Sequence, residues 1–184
     1  YKRQIENGSS INVSTIVFDT SIDLFKNIDL VNRAVSLWKQ TQPLLRSRIF
    51  VNDDDELKEN NLELGKYFVF ADDSVVNNMS NVKYLYFKAS PDSSGSGTNN
   101  NKYDDCKDYW KLLVEHEMTM PIDWCNGLMW RLIFLNMNPC GSEANDGTTF
   151  KYGLLISVTH AIFDGASAFF TLNSLFHLIE RLFT

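Results

Sequence analysis

The residues best suited to chemistry lie in "LLISVTHAIFDGASAFF", residues 154–170. An apolar run stops at His160, an aspartate follows at Asp164, and Gly165 comes directly after it. Successive strand side chains alternate faces, so Leu154, Ile156, Val158 and His160 are expected on one face. An imidazole at the end of a buried strand would be partly desolvated. Desolvation favours its neutral form, the form a general base needs. Asp164 stands where the chain turns into a last helix, and either caps that helix or pairs with an arginine. Gly165 permits backbone shapes that other residues resist. A plainer reading of the same residues is a histidine bonded to its own backbone, followed by an Asp-Gly turn.

Other reactive residues carry less. His116 sits among charges on an amphipathic helix and His177 lies beside Phe176 on the last one, so both are expected to be surface or packing residues. Cys106, Cys125 and Cys140 make an odd count without metal-ligand spacing, and isolated thiols are expected over one disulfide plus a free thiol. No metal site follows from them. The acidic "DDDE" at 53–56 is expected to be a solvated hairpin tip. A Ca²⁺ loop would need Gly at its sixth position and Glu at its twelfth. Sequons at Asn7, Asn12 and Asn78 are expected by chance in a chain this rich in Asn, Ser and Thr. There is no internal repeat and no phosphate-cradling glycine loop.

The elements around these residues can be read from periodicity. "SINVSTIVFDT" is β-branched and partly alternating, so it predicts a first strand. In the following segment Leu24, Ile28, Val31, Val35 and Trp38 recur at helical spacing, with Asn27 or Asp29 as cap and Pro43 just past the end. "LRSRIFVN", "KYFVFAD" and "NVKYLYFK" predict short strands, and residues 90–101 a mobile low-complexity loop within one domain. "DDCKDYWKLLVEHEMTM" predicts an amphipathic helix carrying Trp110, Leu113, Val114 and Glu117. "GLMWRLIFLNM" and "FKYGLLISVTH" predict two apolar strands. The last helix is expected to bury Phe169, Leu172, Leu175, Phe176, Ile179 and Leu182. The order is strand, helix, several strands, helix, strand, strand, helix. That is an α/β (α+β) two-layer sandwich, a mixed sheet covered by helices.

With 184 residues, 44% of them hydrophobic, the chain is expected to be one domain with a real core. A net charge of -6 without a basic stripe makes nucleic acid and anionic membrane surfaces poor partners. No apolar run reaches the roughly 18 residues of a spanning helix, and no signal peptide is visible at "YKRQIENGSS". The compartment stays open, with a cytoplasmic location favoured over a secreted one. Without an initiator Met, the chain reads as a fragment, a processed product or an expression product.

The segment "THAIFDG" resembles the His-x-x-x-Asp-Gly motif of the chloramphenicol-acetyltransferase-like superfamily. That superfamily includes condensation domains of peptide synthetases, alcohol O-acetyltransferases and plant BAHD acyltransferases. Two further stretches carry the resemblance. "IDLVNRAVSLWKQTQPLLRSRIFV" is similar to the family's first helix and following strand, and "MTMPIDWCNGLMWRLIFL" to a Pro-hydrophobic-Asp turn before a strand containing Trp-Arg. The three occur in family order and cover essentially the whole chain, residues 1–184.

The resemblance implies specific roles. His160 would be a general base that takes a proton from a hydroxyl or amine as it attacks a thioester carbonyl. The thioester would be an acyl-CoA, acting as co-substrate, or an acyl carrier domain. No permanently bound cofactor and no protein nucleophile are implied. Asp164 would be architectural, paired with an arginine: Arg46, Arg48 or Arg131. Gly165 would allow close approach beside the histidine. Thr159 stands where condensation domains usually carry the first of two histidines, which fits acyltransferases better than peptide-bond formation. In two-lobed members this pattern fills only the N-terminal lobe. The expectation is therefore a site completed by a complementary C-terminal lobe on a second chain, or by a homotrimer, with a small-molecule acceptor. A non-catalytic lobe that binds a small apolar or aromatic ligand is the alternative within the same fold. An unrelated α/β interaction domain is the weaker third.

Overall fold

The computed structural model describes residues 11–51, 66–86, 102–123, 126–138 and 149–184. The acidic stretch at 53–56, the 90–101 segment and the side chains of Cys106, Cys125 and Cys140 lie outside the described residues.

The β-branched start forms β1 (Ile11–Thr20), and the first helical pattern forms α1 (Ile28–Thr41) with Asn27 at its N-cap. Pro43 cannot continue that helix and opens a short 3-10 helix, Pro43–Arg46. The chain then forms β2 (Ser47–Val51), β3 (Lys66–Phe70) and α2 (Asp73–Asn77). It continues with β4 (Val82–Tyr86), α3 (Lys102–Thr119), β5 (Trp130–Asn136), β6 (Phe150–Thr159) and α4 (Gly165–Phe183). The one-and-a-half-turn α2 has no counterpart in the sequence reading, because five residues show no period.

β1, β6, β5 and β4 lie side by side in one four-stranded sheet, while β2 and β3 form a separate antiparallel pair. The larger sheet is mixed: β4 and β5 run parallel, and the other pairs antiparallel. Helices cover both of its faces, which is why residues 152–158 of β6 form an unbroken buried run. Leu154, Ile156 and Val158 join the core with Val31, Val35 and Trp38 of α1 and Leu172 and Leu175 of α4. On the other face, α3 lies across Gly153. A Cβ added to Gly153 would stand 2.6 Å from the Trp110 ring.

Two buried indoles tie α1 to α4 and the sheet to the 3-10 helix. Trp38 donates to the Thr171 carbonyl and Trp130 to the Leu45 carbonyl, each at 2.8 Å, and the two rings meet edge to face. These bonds satisfy the polar atoms of rings that otherwise serve as core filling. The buried stripe of α4 differs from expectation at its start. Ala168, Thr171, Leu172, Leu175 and Ile179 face the core, whereas Phe169 is 57% exposed. The Trp38 bond to Thr171 fixes the rotation of the helix, and that rotation presents the small Ala168 inward.

Candidate active site

β6 stops pairing at Thr159, whose N–H donates to the Met129 carbonyl at 3.1 Å. The chain then turns: Ile162 N–H donates to Thr159 O, and the Asn12 side-chain amide donates to Phe163 O. Ile162 and Phe163 are buried and anchor the turn from below. His160 lies at its outer edge and is exposed. The sheet therefore does not bury its imidazole as expected. The reason is local: one residue past the last pair, the chain has already left the sheet whose neighbours would have covered the ring.

Asp164 caps α4. Its Oδ1 accepts from Ser167 N–H at 2.7 Å, satisfying one of the free donors of the first turn. These bonds hold its carboxyl below the usual value, and the charge of nearby His160 acts in the same direction. Gly165 opens the helix. A Cβ placed there would meet nothing within 4 Å, and its φ is not left-handed. The chain's own packing does not require glycine at this position.

The structure brings His160, Asp164 and Gly165 together and leaves the three candidate arginines elsewhere. The arginine pairing implied for Asp164 is not formed. Arg131 binds Glu117 on the α3 side of the sheet, Nε to Oε2 at 2.7 Å. Arg48 reaches Asp72 at 3.9 Å, and the Arg46 guanidinium lies 5.3 Å from the centre of the Phe70 ring. With the carboxylate engaged by the helix terminus, an ion pair is not needed to hold it.

Sequence reasoning missed the Glu117 cluster. Its carboxylate is buried, and besides Arg131 it accepts from Ser157 Oγ at 3.2 Å. A lone acidic residue on the inward stripe of an amphipathic helix was the available signal. His116 and His177 are exposed helix residues, His177 standing beside Asn173 and Glu180. Thr159, at the position of the expected first histidine, has a buried hydroxyl without a partner. Among the described residues no cluster of His, Cys, Asp or Glu is placed to hold a metal, and no helix is long and apolar enough to cross a membrane.

Neither a protein-family model nor a curated protein matches the sequence. Solved structures do match the fold. The tallysomycin biosynthesis protein TlmII superposes with a TM-score of 0.64 at 13% identity, over 97% of this chain and 34% of that one. The starter condensation domain of rhizomide synthetase RzmA gives 0.66 at 11%, over 98% and 35%. A variant of that domain in complex with C8-CoA gives 0.59 at 11%, over 93% and 30%. The chain thus has the mixed α+β fold of a condensation-domain lobe, the architecture that the chloramphenicol-acetyltransferase-like resemblance implies. It spans about a third of each of these relatives.

Proposed function

We propose that this chain is an acyltransferase-type lobe in which His160 is the general base. The observation that carries the reading is the exposed imidazole on a fixed turn, with Asp164 and Gly165 beside it, on a condensation-domain fold. A substrate hydroxyl or amine gives its proton to His160 as it attacks the thioester carbonyl. The C–S bond then breaks, and the imidazolium returns the proton to the departing thiolate. Acyl-CoA is the favoured donor, supported by the condensation-domain neighbour crystallised with C8-CoA. Gly165 leaves open space beside the base for the acyl group or the acceptor.

Such a site needs a second wall. A complementary lobe is the favoured source and a homotrimer the alternative. The exposure of His160, together with a span of one third of the neighbours, supports a completed site over an isolated one. The test is acyl transfer from acetyl-CoA and longer acyl-CoAs to a panel of alcohols and amines, run on the natural assembly. His160→Ala should lose about 10²–10⁴-fold in rate. Full activity in that variant would remove the histidine from the mechanism. Native mass of the same assembly separates two unlike chains from three equal ones.

A second reading, a non-catalytic lobe that binds a small apolar ligand, draws on Phe169 and Phe170, exposed by 57% and 71% beside the site. It predicts ligand binding with no turnover in the same assay.

A further inference from the structure

We propose that a cleft between α2, the turn into β4 and residues 126–128 is a second ligand subsite. Its ligand group is neutral and offers a hydrogen-bond donor and an acceptor side by side, as the edge of a lactam or primary carboxamide does.

The cleft has a volume of about 370 Å³, and its described lining includes Ser74, Asn78, Ser80, Asn81, Asn126 and Leu128, with no charged residue among the described ones. That volume falls within the range of small-molecule sites. A described lining of hydroxyls and amides suits a neutral hydrogen-bonding ligand better than an ion, whose lost hydration these groups would not replace. Parts of the lining are already ordered. Asn78 Oδ1 accepts from Ser80 N–H at 2.8 Å, and Asn126 Nδ2 donates to Asp123 at 3.1 Å.

Asn81 selects the ligand class. Both atoms of its side-chain amide are buried and neither has a hydrogen-bond partner. A buried donor and acceptor left unmade on one side chain call for an explanation, because such groups are nearly always paired. Its backbone is fixed, with the Asn81 carbonyl accepting from Leu132 N–H at 2.8 Å. The side chain is thus the part that can move, and a rotation would carry the amide into the cleft it lines. A planar group with C=O and N–H adjacent would then satisfy both atoms at once.

The cleft lies at the same end of the sheet as His160. Leu128 precedes Met129, whose carbonyl holds Thr159 N–H. The inference does not depend on acyl transfer, so the experiment below can fail while the catalytic reading stands, and the reverse.

The test uses ¹⁵N-labelled full-length chain and two probes of similar shape, 2-pyrrolidinone and N-methyl-2-pyrrolidinone. The first has the paired edge and the second lacks the donor. Saturable shifts of the Asn81 side-chain amide and the Leu128 backbone amide are expected with the first probe. Binding should be at least about tenfold weaker with the second. Asn81→Leu should abolish the response, and Asn81→Asp, which keeps the size but not the donor, should weaken it if the leucine variant does not fold. Equal responses to both probes, no saturable shift, or undiminished binding in the substituted protein that folds would each overturn the proposal.

Discussion

Glu117 and Arg131 face each other at 2.7 Å where α3 packs on the four-stranded sheet, with side chains 1% and 15% exposed. Arg131 also donates to the carbonyls of Glu117, Met120 and Pro121, so one guanidinium closes the end of α3 and holds the turn after it. A residue expected beside Asp164 instead ties the outer helix to the sheet. Removing the cation alone strands a buried carboxylate. Arg131→Met should cost about 3–5 kcal/mol in urea denaturation, and adding Glu117→Leu should recover much of that loss. Equal stability of the single and double variants would show that the stranded carboxylate is not the source of the loss.

Asp164 is expected to act on stability through its cap. Its folded carboxyl is depressed, so its contribution is present above the unfolded value and is lost as pH falls through the folded one. At neutral pH, Asp164→Ala should lower the melting temperature, while Asp164→Asn, an equally good cap, should nearly match the parent. Thermal melts from pH 7 downward should show the gap between the parent and the Asp164→Ala variant closing in acid.

Lys39 is buried at 1% exposure, with its ammonium donating to the Val76 carbonyl and lying against Met79. Burial lowers its pKa from the usual 10.5. Between the folded and unfolded values the unfolded chain binds more protons, so this group makes stability rise with pH across that window. Tyr84 and Tyr152, whose hydroxyls burial pushes upward, act in the opposite sense above their unfolded value. Their effect is common to parent and variant and cancels in the comparison. Lys39→Met should flatten the rise, so its stability advantage over the parent shrinks as pH rises towards 10.5. A constant difference across that range would mean that the ammonium is not desolvated.

Two glycines should separate fold from function. Gly153→Ala drives a methyl into Trp110, 2.6 Å from the ideal Cβ position, and should destabilise by about 1–3 kcal/mol. Gly165→Ala meets open space and should be neutral or stabilising by up to about 1 kcal/mol. If a substrate approaches beside His160, that same change should reduce acyl transfer in the natural assembly without lowering the melting temperature. Unchanged activity would show that nothing approaches there.

Much of the architecture was legible in the chain. The periodicity of Val31, Val35 and Trp38 marked α1, Pro43 marked its end, and the apolar runs around Arg131 and before His160 marked the central strands. These signals are local, because a helix or strand half-buried against a core must repeat with its own period. The order "LLRSRIFV", "PIDW" and "THAIFDG" was enough to reach the fold later matched by condensation domains. Phe169 was misplaced because helical spacing fixes a stripe but not its rotation, and the rotation was set by Trp38 bonding to Thr171.

The sequence by itself determined the longer elements, their order and the trio His160, Asp164 and Gly165, since residues this close along the chain cannot be separated by folding. Tertiary structure decided which partner each charge found. Arg131 and Glu117 are 14 residues apart and meet because α3 packs on the sheet that holds Arg131; Asp164 is left to its own helix; and the Asn81 amide is closed in beside an open cleft. Such pairings depend on which side chains the three-dimensional packing brings within a few ångströms, and no local period in a chain records that distance.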